Sequence, residues 1–183
     1  MRYFHKMILL IYLKKNVFID SIVVVAPRRQ SPFIYWRTKM VRLSDYKKDY
    51  EQTVLGLHLF PEQAGFAIEP DVLLATENQD EEKHLCVVLF EEKPCGAVLV
   101  KSTAPLEYEL ISLMIDKNYQ KKGIGKLAML DLVQKMKNRK ARKLSTSISK
   151  TNTRAMDFLQ RTGFRIKEET NGQLRLEMEI YYD

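Results

Sequence analysis

The run of residues with the clearest chemical potential is Gln120-Lys121-Lys122-Gly123-Ile124-Gly125-Lys126. A strand-like stretch, Leu110 to Ile115, precedes it, and a helix-like stretch, Leu127 to Met136, follows at once. A glycine-bearing loop that opens a helix leaves backbone N–H groups unpaired at the positive end of the helix dipole, an arrangement that binds phosphate. Gly123 and Gly125 let the backbone approach a bulky anion without a Cβ in the way, so alanine at either is expected to weaken anion binding alike. The spacing is not the dinucleotide fingerprint, and it lacks the Gly-Lys-Ser/Thr ending of the P-loop. A solvated turn with two useful glycines is the plainer alternative for so short a pattern.

The elements around this loop can be read in order. Ser44-Asp45 followed by Tyr46, Tyr50, Val54 and Leu57 predicts an N-capped amphipathic helix, stopped by Pro61. Glu69-Pro70-Asp71 opens a second short helix. Three strands follow, His84–Glu91, Cys95–Ser102 and Tyr108–Ile115, with turns at Glu92-Lys93-Pro94 and Thr103-Ala104-Pro105. After the glycine loop and its helix come a strand at Leu144–Ser149, a helix at Asn152–Arg161 stopped by Gly163, and a hairpin around Asn171-Gly172.

The 183 residues suit one domain with a substantial core. The net charge of +7 is confined to the first 39 residues, which hold eight basic side chains against Asp20 alone. The rest carries 22 basic and 22 acidic side chains, so no overall field steers it to nucleic acid. The apolar runs Met7–Leu13 and Val17–Ala26 are short of the roughly 18–20 residues of a membrane span, and no small-residue cleavage site follows the first. Residues 1–40 are therefore expected to be an extension and 41–183 the domain. The extension reads most simply as functionless, with a start assigned too far upstream, a membrane-surface anchor or an extra strand as alternatives. Cys86 and Cys95 have neither metal-ligand nor disulfide spacing; inert strand thiols and a cytoplasmic location are expected. His5, His58 and His84 are scattered and fit no metal or triad pattern.

With Gln-x-x-Gly-x-Gly between a strand and a helix, residues 41 to the end resemble the GNAT N-acetyltransferases. A second run supports this: Asn152-x-x-Ala155-x-x-Phe158-Leu159-x-x-x-Gly163-Phe164 is similar to the family's Asn-x-x-Ala-x-x-Leu-Tyr-x-x-x-Gly-Phe helix. Pro61–Phe66 and Leu113–Gln120 further resemble the diamine (spermine/spermidine) acetyltransferase branch. The resemblance implies an α/β fold: a mixed central sheet, splayed between its fourth and fifth strands (here Leu110–Ile115 and Leu144–Ser149), with helices on both faces. It implies acetyl-CoA as co-substrate, no metal, a small-molecule amine as acceptor, polyamine-like by preference, and direct attack. A homodimer is compatible with it.

By the same resemblance, acetyl-CoA pairs with the exposed strand edge at Leu113, Met114 and Ile115, a form of strand addition. The backbone N–H of Leu113 or Ile115 then faces the thioester carbonyl and stabilises its developing negative charge. Residues 120–126 receive the pyrophosphate, and Asn152 either caps its helix or reaches the cofactor. An acceptor amine has a pKa of about 10.4, so a carboxylate is needed to take its proton. Glu109, eleven residues before Gln120, holds the position of a general base in related histone-acetylating enzymes, on a strand face expected to include Ile111 and Leu113. Glu107 is second in line. Solvent-exposed strand glutamates are the plainer reading of both. Leu159 stands where the family has a proton-donating tyrosine. Its consequence is modest, since a thiol of pKa about 8.5 leaves as thiolate at pH 7 for roughly 2 kcal/mol. The same substitution suits a CoA-binding module that has lost transferase activity.

Overall fold

The computed structural model describes residues 40–77 and 80–182; the expectations above for residues 1–39 lie outside them. Val41-Arg42-Leu43 alternates buried, exposed, buried, which places it on a sheet rather than before a helix. It forms β1 (Val41–Asp45), antiparallel to β2 (Lys83–Phe90). β2 pairs with β3 (Lys93–Ala104), and β3 with β4 (Glu107–Ile115), both antiparallel. β5 (Lys143–Ser149) runs parallel to β4. β6 (Arg165–Thr170) and β7 (Gln173–Glu179) form the expected hairpin, whose Asn171 and Gly172 both have positive φ. The seven strands lie in the order β1-β2-β3-β4-β5-β7-β6, one mixed sheet as the resemblance implied.

The described residues form five α-helices: α1 (Glu51–Leu55), α2 (Pro61–Ala64), α3 (Pro70–Glu77), α4 (Ile124–Asn138) and α5 (Thr153–Arg161). Leu85–Leu89 of β2 and Cys95–Val100 of β3 are almost continuously buried, the mark of strands covered on both faces. On one face Val41, Leu43, Val88, Val98, Leu110 and Leu144 pack with Ala128, Met129 and Leu132 of α4 and Leu159 of α5. On the other, Leu85, Val87, Leu99 and Met114 pack with Val54 of α1 and Leu73 of α3. Fully burying side chains of this size contributes about 1.5–3 kcal/mol each, so both layers are held mainly by apolar burial.

Three local readings need correction. The helix expected from Ser44 begins later: Ser44 and Asp45 belong to β1, a 3-10 turn fills Lys48–Tyr50, and α1 starts at Glu51. Pro61 does not end a helix but begins α2, where its fixed φ and missing N–H are harmless at the first turn. The β2–β3 turn is made by Glu91 and Glu92, both with positive φ, one step before the expected Glu92-Lys93-Pro94.

Candidate functional site

β4 carries the feature from which the site is built. Val100 of β3 faces Leu110, while Leu99 faces Ser112, so Ile111 is an extra residue, a β-bulge. The bulge reverses which backbone groups face which neighbour. Before it, the carbonyls of Tyr108 and Leu110 point to β5 and accept hydrogen bonds from the Ser145 and Thr146 hydroxyls. After it, the Asp116 N–H points to β3 and bonds the Cys95 carbonyl at 2.9 Å. By strand alternation the N–H groups of Leu113 and Ile115 therefore face away from β3. Among the described residues they meet no strand there. The β4–β5 ladder consists of Glu107–Lys143, Tyr108–Leu144 and Glu109–Ser145, and the strands part beyond it. The splay falls where the sequence expectation put it.

The bulge also reverses side-chain faces. Tyr108 and Leu110 join the α4/α5 layer before it, and Leu113 and Ile115 do so after it, while Ile111 and Met114 join the α1/α3 layer. Glu109 thus shares a face with Ile111 but not with Leu113, contrary to the unbroken alternation expected. Glu109 is half-buried at the last paired position of the ladder. Glu107 is bound to Lys143 at 2.7 Å.

At the open end of β4, Asp116 is buried and accepts from the N–H groups of His58 and Asn118 at 3.0 and 2.9 Å. The Lys117 N–H returns a bond to the His58 carbonyl at 2.7 Å. These bonds pin the α1–α2 connection to the strand end. The loop follows. Gly123 caps α4 with φ +80°, and the first intrahelical bond runs from the Leu127 N–H to the Gly123 carbonyl. The N–H groups of Ile124, Gly125 and Lys126 consequently precede the helix ladder and lie at its positive end. Lys121, Lys122 and Lys126 are exposed; the Lys121 ammonium sits 5.6 Å over the Phe60 ring and Lys122 donates to the Asn118 carbonyl. The two glycines are not equivalent. A Cβ on Gly125 would meet Phe158 and Ile115 at ordinary distances of 3.6 and 3.7 Å, within the protein. Only Gly123 needs its conformational freedom.

Gln120 is tied into the fold through its side chain. Its Nε2 donates to the Ile115 carbonyl at 2.8 Å and to Gln63 Oε1 of α2 at 2.9 Å; its Oε1 accepts from Arg154 of α5 at 3.2 Å. Asn152 caps α5, its Oδ1 accepting the Ala155 N–H at 3.1 Å. Leu159 is only 5% exposed and packs in the α4/α5 layer. Sequence reading missed Arg154, Gln63 and Asp116. Arg154 lies inside the Asn152-x-x-Ala155 interval, and Asp116-x-Asn118 carries a turn signal of its own.

A cavity of about 270 Å³ lies at the end of β4 on the α1/α3 side, walled mainly by Leu57, Leu59, Ala67, Ile68 and Met114, with Glu69 and Lys117 among its polar residues. Of the acidic residues on that side of the cleft, Glu62 pairs with Arg154 and Asp71 accepts the Val72 N–H. Both cysteines are buried and free. Burial, reinforced by Asp45, pushes the Cys86 thiol up to about 11; burial and Asp116 do the same for Cys95. Among the described residues no helix is long and apolar enough to cross a membrane.

The sheet thus opens beside a loop seated on a helix N-terminus, an arrangement that receives anions. Residues 45–164 match the acetyltransferase (GNAT) family, well over half of the chain, and the chain belongs to that family. An uncharacterised N-acetyltransferase of Bacillus subtilis, YvbK, is 28% identical over 72 residues, 39% of this chain and 46% of its own length. The chain thus aligns with about half of that relative. Among solved structures, the PaiA N-acetyltransferase of Thermoplasma acidophilum in complex with coenzyme A superposes with a TM-score of 0.61 at 15% identity, over 76% of this chain and 98% of its own. A GNAT family acetyltransferase of Elizabethkingia anophelis with acetyl-CoA bound gives 0.58 at 16%, with the same coverage. At such identities these structures speak for the fold.

Proposed function

We propose that the protein transfers an acetyl group from acetyl-CoA to a primary amine of a small molecule by direct attack, with no acyl-enzyme. The observation that carries this is the opened β4 edge, with the Leu113 N–H turned toward the gap by the bulge, next to the Gly123 loop. The chain would contribute position and charge. Backbone N–H groups of residues 124–126, with Lys121, Lys122 and Lys126 nearby, hold phosphate. The Leu113 N–H stabilises negative charge on the thioester oxygen as the amine nitrogen bonds to the carbonyl carbon and the C–S bond breaks. Glu109, which makes no ion pair among the described residues, takes the ammonium proton through water; Glu107 is held by Lys143. The thiolate leaves unassisted, since Leu159 cannot donate a proton. In this reading residues 41–183 are the transferase domain, residues 1–40 an extension, and the buried free thiols suit the cytoplasm.

The acceptor is a small primary amine, and a polyamine-like one is the finer reading. Its support is the likeness of Pro61–Phe66 and Leu113–Gln120 to the diamine branch, together with Glu69 at the cavity. The ion pairs of Glu62 with Arg154 and of Glu107 with Lys143 reduce the negative charge free to meet a polycation. The buried leucine at position 159 favours the alternative, a CoA-binding module with weak or no activity. Release of free CoA thiol, assayed with spermidine, monoamines, amino acids and peptide amines, separates the two. Turnover with any amine supports the transferase; CoA binding without turnover across the panel supports the module.

A further inference from the structure

Arg154 is the side chain that crosses the gap between β4 and β5. It projects from the first turn of α5, on the β5 side, yet its guanidinium bonds Gln120 on the β4 side at 3.2 Å and pairs with Glu62 of α2 at 3.5 Å. Gln120 holds the Ile115 carbonyl at the opened edge and opens the glycine loop, so the guanidinium lies one side chain away from both halves of the proposed cofactor path. Its base is fixed, because Asn152 caps the same helix. Its ionic partner is not a strong one: the Arg154 and Glu62 side chains are 48% and 65% exposed. A guanidinium so placed binds a phosphate, with its larger charge and bidentate geometry, in preference to a solvated carboxylate.

We infer that Arg154 is a cofactor-binding residue held on α2 by Glu62 in the free protein, and that Glu62 competes with the phosphates of CoA for it. The inference rests on the proposed CoA-dependent function. Loading the cofactor draws the guanidinium away and uncovers the Glu62 carboxylate on the acceptor side, where a cationic amine can meet it. Cofactor and amine therefore improve each other's binding by reciprocal linkage.

A double-mutant cycle on CoA affinity, read by calorimetry at low salt, tests this. Glu62→Gln keeps the size of the side chain and removes its hold on Arg154. It should tighten CoA by about 1.5- to 5-fold, the range of an exposed ion pair, and 0.5 M salt should erase the gain. Arg154→Ala should weaken CoA, Arg154→Lys should restore part of the loss, and Glu62→Gln should change nothing in the Arg154→Ala background. Asp157→Asn removes the same charge from the Asp157–Arg161 pair on α5 and serves as the control, with CoA affinity unchanged. All these side chains are exposed, so thermal unfolding should stay near the parent's. Equal effects of Glu62→Gln in both backgrounds, or none in either, overturn the competition while leaving CoA dependence standing. A parent protein that takes up no CoA overturns both.

Discussion

Alanine at Gly123 and at Gly125 should have opposite consequences, and the difference can be worked from the backbone. Gly123 sits at φ +80° with nothing within 4 Å of an added Cβ, so the penalty of alanine is conformational rather than steric. Left-handed alanine costs roughly 1–2 kcal/mol, and the stiffer unfolded chain returns about 0.4–1 kcal/mol. A net loss of about 0.5–1.5 kcal/mol should lower the unfolding midpoint by several degrees. If the turn relaxes instead, the N–H groups of Ile124, Gly125 and Lys126 swing out of alignment. Each charge-assisted hydrogen bond is worth about 1.5–3 kcal/mol, so misaligning even one weakens CoA by tenfold or more. Gly125 is helical, and its added Cβ finds ordinary contacts with Phe158 and Ile115. Alanine there should gain up to about 1 kcal/mol in helix propensity and change CoA affinity less than about threefold. Thermal unfolding and calorimetric titration of both variants give the answer. Parental CoA affinity in Gly123→Ala, or greater damage from Gly125→Ala, would refute the assignment of the loop.

Glu109→Gln should lower kcat roughly 10²-fold while leaving the KM for acetyl-CoA unchanged, and the deficit should shrink as the pH nears the amine pKa of about 10.4; a pH-independent deficit would rule out a base. Leu159→Tyr introduces a larger, polar side chain into a packed layer and should cost about 1–3 kcal/mol of stability without raising kcat; a faster enzyme would show that the ring reaches the leaving thiolate. Cys86 and Cys95 are more strongly protonated in the fold than unfolded, so the stability they supply is whole below the ordinary thiol pKa of 9.0 and is lost as pH climbs through about 11. Denaturant midpoints measured from pH 8 to 11 should fall, and a Cys86→Ala/Cys95→Ala variant should show a shallower decline.

Much of this was legible because local signals agreed with the tertiary solution. Asn171-Gly172 fixes its hairpin by the positive φ that both residues tolerate, and the glycine loop by its place between strand and helix. β1 was not legible, since Val41 and Leu43 give only two apolar positions and Ser44-Asp45 imitates a helix cap; pairing with β2 decides the matter. The bulge at Ile111 leaves no mark in sequence, because it is imposed by register against β3, and it moved Glu109 off the face of Leu113. The Arg154–Gln120–Gln63 network joins residues up to 91 positions apart, beyond any periodic pattern. The turn at Glu91-Glu92 has no glycine to announce it.

Whether the opened β4 edge and the Gly123 loop take up acetyl-CoA is decided by calorimetric titration of the parent protein. Saturable one-to-one binding that weakens with added salt is expected, as phosphate contacts to exposed lysines require. No binding at millimolar acetyl-CoA would contradict it.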